Sequence, residues 1–190
     1  MRVLVACEFS GRVRQAFRNA GHDAWSCDLF EDSEDNSQFH VRADAVEMAH
    51  SQQWDLMIAH PPCTHLAVSG ARHFAEKRRD GRQQTALDLV RALMDAPVER
   101  IAIENPISII STAIRRPDQI IQPWQFGHGE TKATCLWLKG IPKLTPTKMV
   151  EGRSTAIHRM PESADRWKKR SRTYAGIAQA MADQWGKNES

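Results

Sequence analysis

Two short runs of this sequence end in residues capable of covalent chemistry. The first, Asp55-Leu56-Met57-Ile58-Ala59-His60-Pro61-Pro62-Cys63, is an apolar strand pattern that stops at two prolines and a thiol. Proline lacks a backbone N–H and fixes φ, so the pair ends any ladder and holds the thiol on a stiff loop. The second, Arg100-Ile101-Ala102-Ile103-Glu104-Asn105-Pro106, ends in a carboxylate and an amide before a proline. About 40 residues separate Cys63 from Glu104, enough for a crossover helix and a parallel return strand. Ligands of open α/β sheets bind at the carboxyl ends of the strands, so a thiol and a carboxylate would share one cleft. There a thiolate is a nucleophile, and the neighbouring His60, His65 and His73 predict a lowered thiol pKa. For Glu104 the plain alternative is a structural ion pair. Cys7, Cys27 and Cys135 read as packing residues, and the histidines show no sequence pairing of the kind a cysteine hydrolase needs.

The elements that must position these residues alternate. Val3 to Cys7 reads as a strand, and Val13, Ala16, Phe17 and Ala20 recur at helical spacing before Gly21. Ala24 to Cys27 reads as a second strand, followed by an acidic loop from Glu31 to Asp35. A short helix is expected within Val41 to Met48, a strand at Leu56 to Ala59, an amphipathic helix from Gln83 to Met94, and a strand at Ile101 to Ile103. Trp124 to Phe126 and Cys135 to Leu138 are further strand candidates, separated by Gly127-His128-Gly129. This order predicts an α/β fold with a mostly parallel open sheet flanked by helices. Between first strand and first helix, Glu8-Phe9-Ser10-Gly11 places backbone donors where they can face a cofactor. Val13 stands where a dinucleotide fingerprint needs its second glycine, which favours a nucleoside-type cofactor over a pyrophosphate; a bare strand-helix turn is the alternative. Asp28, ending the second strand, would accept from ribose hydroxyls or stand as a surface carboxylate. Asp44 would accept from an adenine amino group or cap a helix.

The chain has 190 residues, 41% hydrophobic and 26% charged, which suits a single domain over 1–190 with a basic segment at 145–172 and a final helix at 173–186. A net charge of +3 permits an anionic partner without demanding one. Four cysteines without a Cys-x-x-Cys pair indicate neither a zinc site nor a disulfide framework, so no metal is expected and the protein reads as reduced and cytoplasmic. No secretory leader or membrane span is expected. Arg153, His158, Arg159, Arg166, Lys168, Lys169, Arg170 and Arg172, interleaved with Trp167 and Tyr174, could track phosphates and stack bases, or form a solvated basic face.

Phe9-Ser10-Gly11, Asp28, Asp44, Pro61-Pro62-Cys63 and Glu104-Asn105 resemble, in order and spacing, the S-adenosylmethionine-dependent DNA cytosine-5 methyltransferases. The resemblance covers roughly the first two thirds of the chain, and its specific part is Pro-Pro-Cys followed by Glu-Asn. The whole string is also similar to compact methyltransferases of bacteriophages and prophages, through Arg170-Ser171-Arg172-Thr173-Tyr174 and the last helix, which implies a phage origin and a bacterial host cytoplasm. It implies a Rossmann-like methyltransferase fold, S-adenosylmethionine held by Phe9, Ser10, Gly11, Asp28, Asp44 and Pro61, and DNA, duplex or single-stranded, as partner. Cys63 would add to cytosine C6 and Glu104 would protonate or hydrogen-bond N3, best with a carboxyl pKa raised by burial. Pro62, Asn105, Lys132, Arg170 and Arg172 would place the substrate, and the target base would be flipped out. His60 stands in place of a small residue, Thr64 of a glutamine and Pro106 of a valine, and only Lys132 keeps the charge of the Gln-x-Arg-x-Arg motif. The stretch from about Thr145 to Asp165 takes the place of a large recognition domain, so low sequence selectivity, a partner subunit or a homodimer is expected. The same chemistry on a free cytidine nucleotide or modified base is one alternative. A non-catalytic module that binds the cofactor or nucleic acid is another.

Overall fold

The computed structural model describes residues 1–29, 34–161, 163 and 166–187, without the side chains of His158 and Trp167. Most of the expected acidic loop, Glu31 to Ser33, and Asp165 therefore lie outside the described residues. Seven strands form one sheet: β1 (Arg2–Ala6), β2 (Asp23–Asp28), β3 (His40–Arg42), β4 (Leu56–Ala59), β5 (Ile101–Pro106), β6 (Gln119–Ile121) and β7 (Thr134–Lys139). Their spatial order is β3-β2-β1-β4-β5-β7-β6. The first five are parallel, while β7 runs antiparallel to β5 and to β6.

Both faces of the sheet are covered, and the period-two alternation of the strands shows how. Val3, Val5, Leu56, Ile58, Ala102 and Leu136 point to one side, where α1 (Arg12–Asn19) and α7 (Ala175–Trp185) pack with Val13, Phe17, Ile177, Met181 and Trp185. Leu4, Ala6, Met57, Ala59, Ile103 and Trp137 point to the other, against α2 (Ala45–His50) and α4 (Arg82–Met94) through Ala45, Ala49, Leu87, Val90 and Leu93. Because the chain leaves β1 on one face and β4 on the other, the strand order reverses between them. Their carboxyl ends flank the crevice where open α/β sheets take ligands.

Three short helices complete the set: α3 (Phe74–Arg79), α5 (Ile110–Ala113) and α6 (Arg166–Ser171). The Trp124 to Phe126 strand expected from sequence is instead a 3₁₀ turn over Pro123–Gln125, and the neighbouring strand is β6. A capping box between Gln122 and Gln125, with proline at the first turn position, outcompetes strand pairing there. Edge strand β3 also has no apolar run and is recognised only by its partners in β2. No helix among the described residues is long and apolar enough to cross a membrane.

Helix α7 is seated against the Gly127-His128-Gly129 turn. The Gly176 N–H donates to His128 Nε2 at 3.0 Å, and a Cβ added at Gly176 would drive into the Phe126 carbonyl oxygen. Gly176→Ala is therefore expected to lower unfolding stability by about 1–3 kcal/mol. Gly70→Ala, whose Cβ would meet nothing nearer than 3.6 Å, should leave it unchanged. Urea unfolding of the two variants checks the contrast.

Candidate active site

The parallel register of β4 and β5 pairs Met57 with Ile101, Ile58 with Ala102 and Ala59 with Ile103. The next residues on each strand are then His60 beside Glu104 and Pro61 beside Asn105, and both pairs are bonded. His60 Nδ1 lies 2.7 Å from Glu104 Oε2, with both side chains nearly buried. Buried Asn105 donates from Nδ2 to the Pro61 carbonyl at 2.8 Å. Asn105 thus holds the proline that aims the thiol, while its own Oδ1 is buried without a hydrogen-bond partner among the described residues. Beyond the exposed Pro62, the Cys63 carbonyl accepts from Leu66 N and Ala67 N, making a tight turn. Buried Lys77 of α3 donates to the Thr64 carbonyl at 2.6 Å, and buried Gln83 of α4 donates to the His65 carbonyl at 3.2 Å. The cysteine loop is therefore tied to two helices as well as to β5.

Electrostatics correct two expectations. Burial, with the Glu104 charge added to it, pushes the half-buried Cys63 thiol above its ordinary pKa rather than below; Lys132 and Arg170 pull the other way without reversing it. His60 is turned toward Glu104, not toward the thiol, so it gives the sulfur no cationic partner. Burial alone would raise the Glu104 carboxyl, but the hydrogen bond and charge of His60, helped by Lys132, hold it below its usual range. Burial alone would lower His60, and the bond and charge of Glu104, with the charge of Glu8, raise it. Both shifts favour an imidazolium beside a carboxylate.

Sequence-selected Lys132 and Arg170 come to this end of the cleft. Lys132 Nζ donates to the Arg170 carbonyl at 2.7 Å, and the charges of both bear on Cys63. Glu104, Lys132, Thr134, Thr173, Tyr174 and Ile177 line a small open pocket at the end of β5. The Tyr174 hydroxyl donates to Glu130, two residues before Lys132. Arg172 instead reaches the β1–α1 end of the cleft, pairing with Glu34. The structure describes none of the Trp167 side chain.

At that end Cys7 leaves β1 with φ of +56°, a left-handed conformation that swings Glu8 back over α1. Glu8 is buried, and its carboxylate accepts from Val13 N at 2.7 Å and Arg14 N at 3.2 Å. The first-turn donors of α1 are thus satisfied within the protein, which leaves little for a pyrophosphate. Phe9 and Ser10 are buried in the turn, and the Phe9 carbonyl accepts from Glu34 N. Gly11 has φ of +67°, and a Cβ there would collide with the Arg14 guanidinium. Arg14, fully buried, bonds to Ser26 Oγ at 2.8 Å and to Asp35. Asp28 ends β2, and Asp44 caps α2 by accepting from Val46 N and Glu47 N through Oδ1, the helix-capping alternative for that residue. Burial pushes the Cys7 thiol well up and the Cys27 thiol up to about 12, and the charges of Asp28 and Asp44 add to both. The edge over β1 and β2 is accordingly acidic, with hydrogen-bond acceptors and no phosphate cradle. Such an acceptor set fits a cationic nucleoside carrying ribose hydroxyls and an amino group.

Sequence reasoning passed over Glu8 and His60 as site residues. A carboxylate next to a predicted helix start is a signal for the first, because it complements the unpaired N–H groups there. For His60 the signal was its departure from the resembled pattern.

No family model and no curated protein matches the chain. Solved structures do. A protein described as a DNA modification methyltransferase encoded within an E. coli prophage superposes with a TM-score of 0.52 at 13% identity, over 80% of this chain and 52% of its own. The Entamoeba histolytica methyltransferase EhMeth superposes with a TM-score of 0.55 at 17% identity, over 86% of this chain and 61% of its own. The chain thus has the methyltransferase fold and spans between half and two thirds of the length of these two proteins.

Because Glu104 adds to the burial that raises the thiol, Glu104→Gln should speed iodoacetamide labelling of Cys63 at pH 8 by about 3- to 10-fold. The rate is read on the Cys63 peptide by mass spectrometry. A rate that is unchanged or slower would contradict this coupling.

Proposed function

We propose that the protein is an S-adenosylmethionine-dependent cytosine-5 methyltransferase acting on DNA. The observation that carries this reading is the pairing of strand ends, which puts the Cys63 loop and Glu104 at one mouth of the sheet with Asn105 bonded to Pro61. Cytosine C5 is a weak nucleophile, and the ring must be activated before it can take a methyl group. Cys63 Sγ, as thiolate, adds to C6; the C5–C6 electron pair shifts toward C4 and the C4–N3 pair onto N3. Glu104 faces N3 and passes it the proton that offsets the charge developing there. Asn105 keeps the loop in place for this attack, and Lys132 and Arg170 supply positive charge beside the sulfur.

S-adenosylmethionine, when bound, supplies the methyl group as an electrophilic carbon on a sulfonium. Asp28 and Asp44 would hold its ribose and adenine, Phe9, Ser10 and Gly11 would form the wall over β1, and Pro61 would separate it from the base. The acidic edge favours its positive charge. Arg166, Lys168, Lys169 and Arg170 lie along α6 beside the mouth and suit phosphates of a DNA strand, with the target base flipped or presented single-stranded.

Labelled S-adenosylmethionine incubated with mixed-sequence DNA should yield 5-methylcytosine. Cys63→Ala should abolish the product and Glu104→Gln should lower kcat by about 10²–10⁴-fold. 5-Fluorocytosine DNA should trap a covalent adduct on Cys63. Running dCMP, single-stranded and duplex DNA side by side identifies the substrate, and transfer to dCMP alone would overturn DNA as the target. An active Cys63→Ala protein would overturn the mechanism. Equilibrium dialysis should show Asp28→Ala binding the cofactor at least about 10-fold more weakly, the loss of one charge-assisted contact.

A further inference from the structure

His60 occupies a position where the resembled enzymes carry a small residue, and the side chain is committed to Glu104. Its backbone N–H donates to the Ala6 carbonyl at 2.9 Å, which fixes it between β1 and β4. Its Nδ1 is 2.7 Å from Glu104 Oε2, and its Nε2 is buried without a hydrogen-bond partner among the described residues. The charged groups that bear on the ring are Glu104 from β5, Glu8 from the turn after β1, and Lys132 from the segment before β7. Two carboxylates against one ammonium favour an imidazolium.

Cytosine N3 is a hydrogen-bond acceptor, and so is an ionised Glu104. The two repel unless one proton lies between them, and the nearest proton on Glu104 is the one at His60 Nδ1. We propose that His60 is a positioning residue that also stores this proton and delivers it to cytosine N3 through Glu104; the inference rests on the cytosine-5 reading above. As the base settles, the Nδ1–H bond breaks and a carboxyl O–H bond forms, leaving a neutral imidazole and an uncharged acid. When Cys63, having lost its thiol proton to solvent, forms the Sγ–C6 bond, the carboxyl proton moves to N3 and Glu104 becomes a carboxylate. On elimination solvent takes the C5 proton, the C5–H electron pair re-forms the C5–C6 double bond, the Sγ–C6 bond breaks with its pair returning to sulfur, and the N3 proton returns by the same path to His60. No oxidant or further reactant is needed.

The transfer has a second consequence. Glu104 is the charge that adds to burial in holding the thiol up, while Lys132 and Arg170 oppose it. Neutralising Glu104 as the base arrives leaves the two cations unopposed, so the step that readies N3 also eases ionisation of Cys63.

The test combines a pH profile with a spectrum that needs no turnover. In His60→Asn the carboxyl loses its cationic neighbour and becomes the only store of the proton, which it releases at lower pH than an imidazolium would. The alkaline limb of kcat for methyl transfer should therefore move down by at least about one pH unit. His60→Gln serves as the second variant if the first unfolds. Nitrogen-15 NMR of the free, unaltered protein should show a doubly protonated His60 ring at pH 7.5, and Glu104→Gln should make it neutral. A neutral ring in the unaltered protein, or a variant whose kcat falls equally at every pH with the limb unmoved, would overturn the proposal. If the unaltered protein transfers no methyl group to any substrate, the cytosine-5 reading fails and takes this inference with it.

Discussion

Everything at the mouth of this sheet depends on the register of two adjacent strands. Three ladder pairs, ending at Ala59 and Ile103, decide that His60 meets Glu104 and Pro61 meets Asn105. A slip of one residue would send each side chain to the opposite face of the sheet and separate both pairs. The apolar residues make such a slip costly. Met57, Ala59 and Ile103 pack toward α2 and α4, while Ile58 and Ala102 pack toward α1 and α7, and all are essentially without exposure. The core therefore pins the site: burial on both faces sets the register, and the register sets which polar groups touch where the strands run out.

Bringing an imidazole, a carboxylate and a thiol to one buried edge creates a charge problem, and the arrangement resolves it asymmetrically. His60 and Glu104 neutralise each other at bonding distance, which desolvation alone would forbid to either. Cys63 receives no such partner, and its thiol stays protonated in the free protein. In the proposed reaction, attack requires something to change the local field, and an incoming base would disturb the His60–Glu104 pair. Reactivity that waits for the substrate protects a half-buried thiol from adventitious chemistry.

The legible parts of the sequence were those where one local signal settles structure. Apolar runs cut by proline reveal β4 and β5 and with them Cys63 and Glu104; helical spacing reveals α1, α4 and α7. β3 and β6 are three residues each and owe their existence to neighbours distant in sequence. Trp124 and Phe126 looked like a strand because aromatic residues favour strands, yet the buried Phe126 is delivered by a capped 3₁₀ turn. The thiol expectation reversed because burial, with the Glu104 charge added, outweighs the nearby cations, and the carboxyl expectation reversed because His60 is bonded to it. Proximity in sequence placed His60 beside Cys63, whereas a residue at a strand end answers to the strand alongside, and that strand offered Glu104.

The C-terminal segment shows how the two ends of the cleft are coupled through one piece of chain. Arg172 pairs with Glu34 and the Thr173 carbonyl accepts from Arg12, both at the β1–α1 end. One and two residues away, the Arg170 carbonyl holds Lys132, and Tyr174 bonds to Glu130, both at the thiol end. Helix α7, which begins at Ala175, is anchored by Ile177, Met181 and Trp185 in the core shared with α1, so this strap cannot drift as a free tail. It carries charge from the acidic edge of β1 and β2 to the cations beside Cys63 in five residues. Lys132, held by this strap, bears on Cys63, His60 and Glu104 alike.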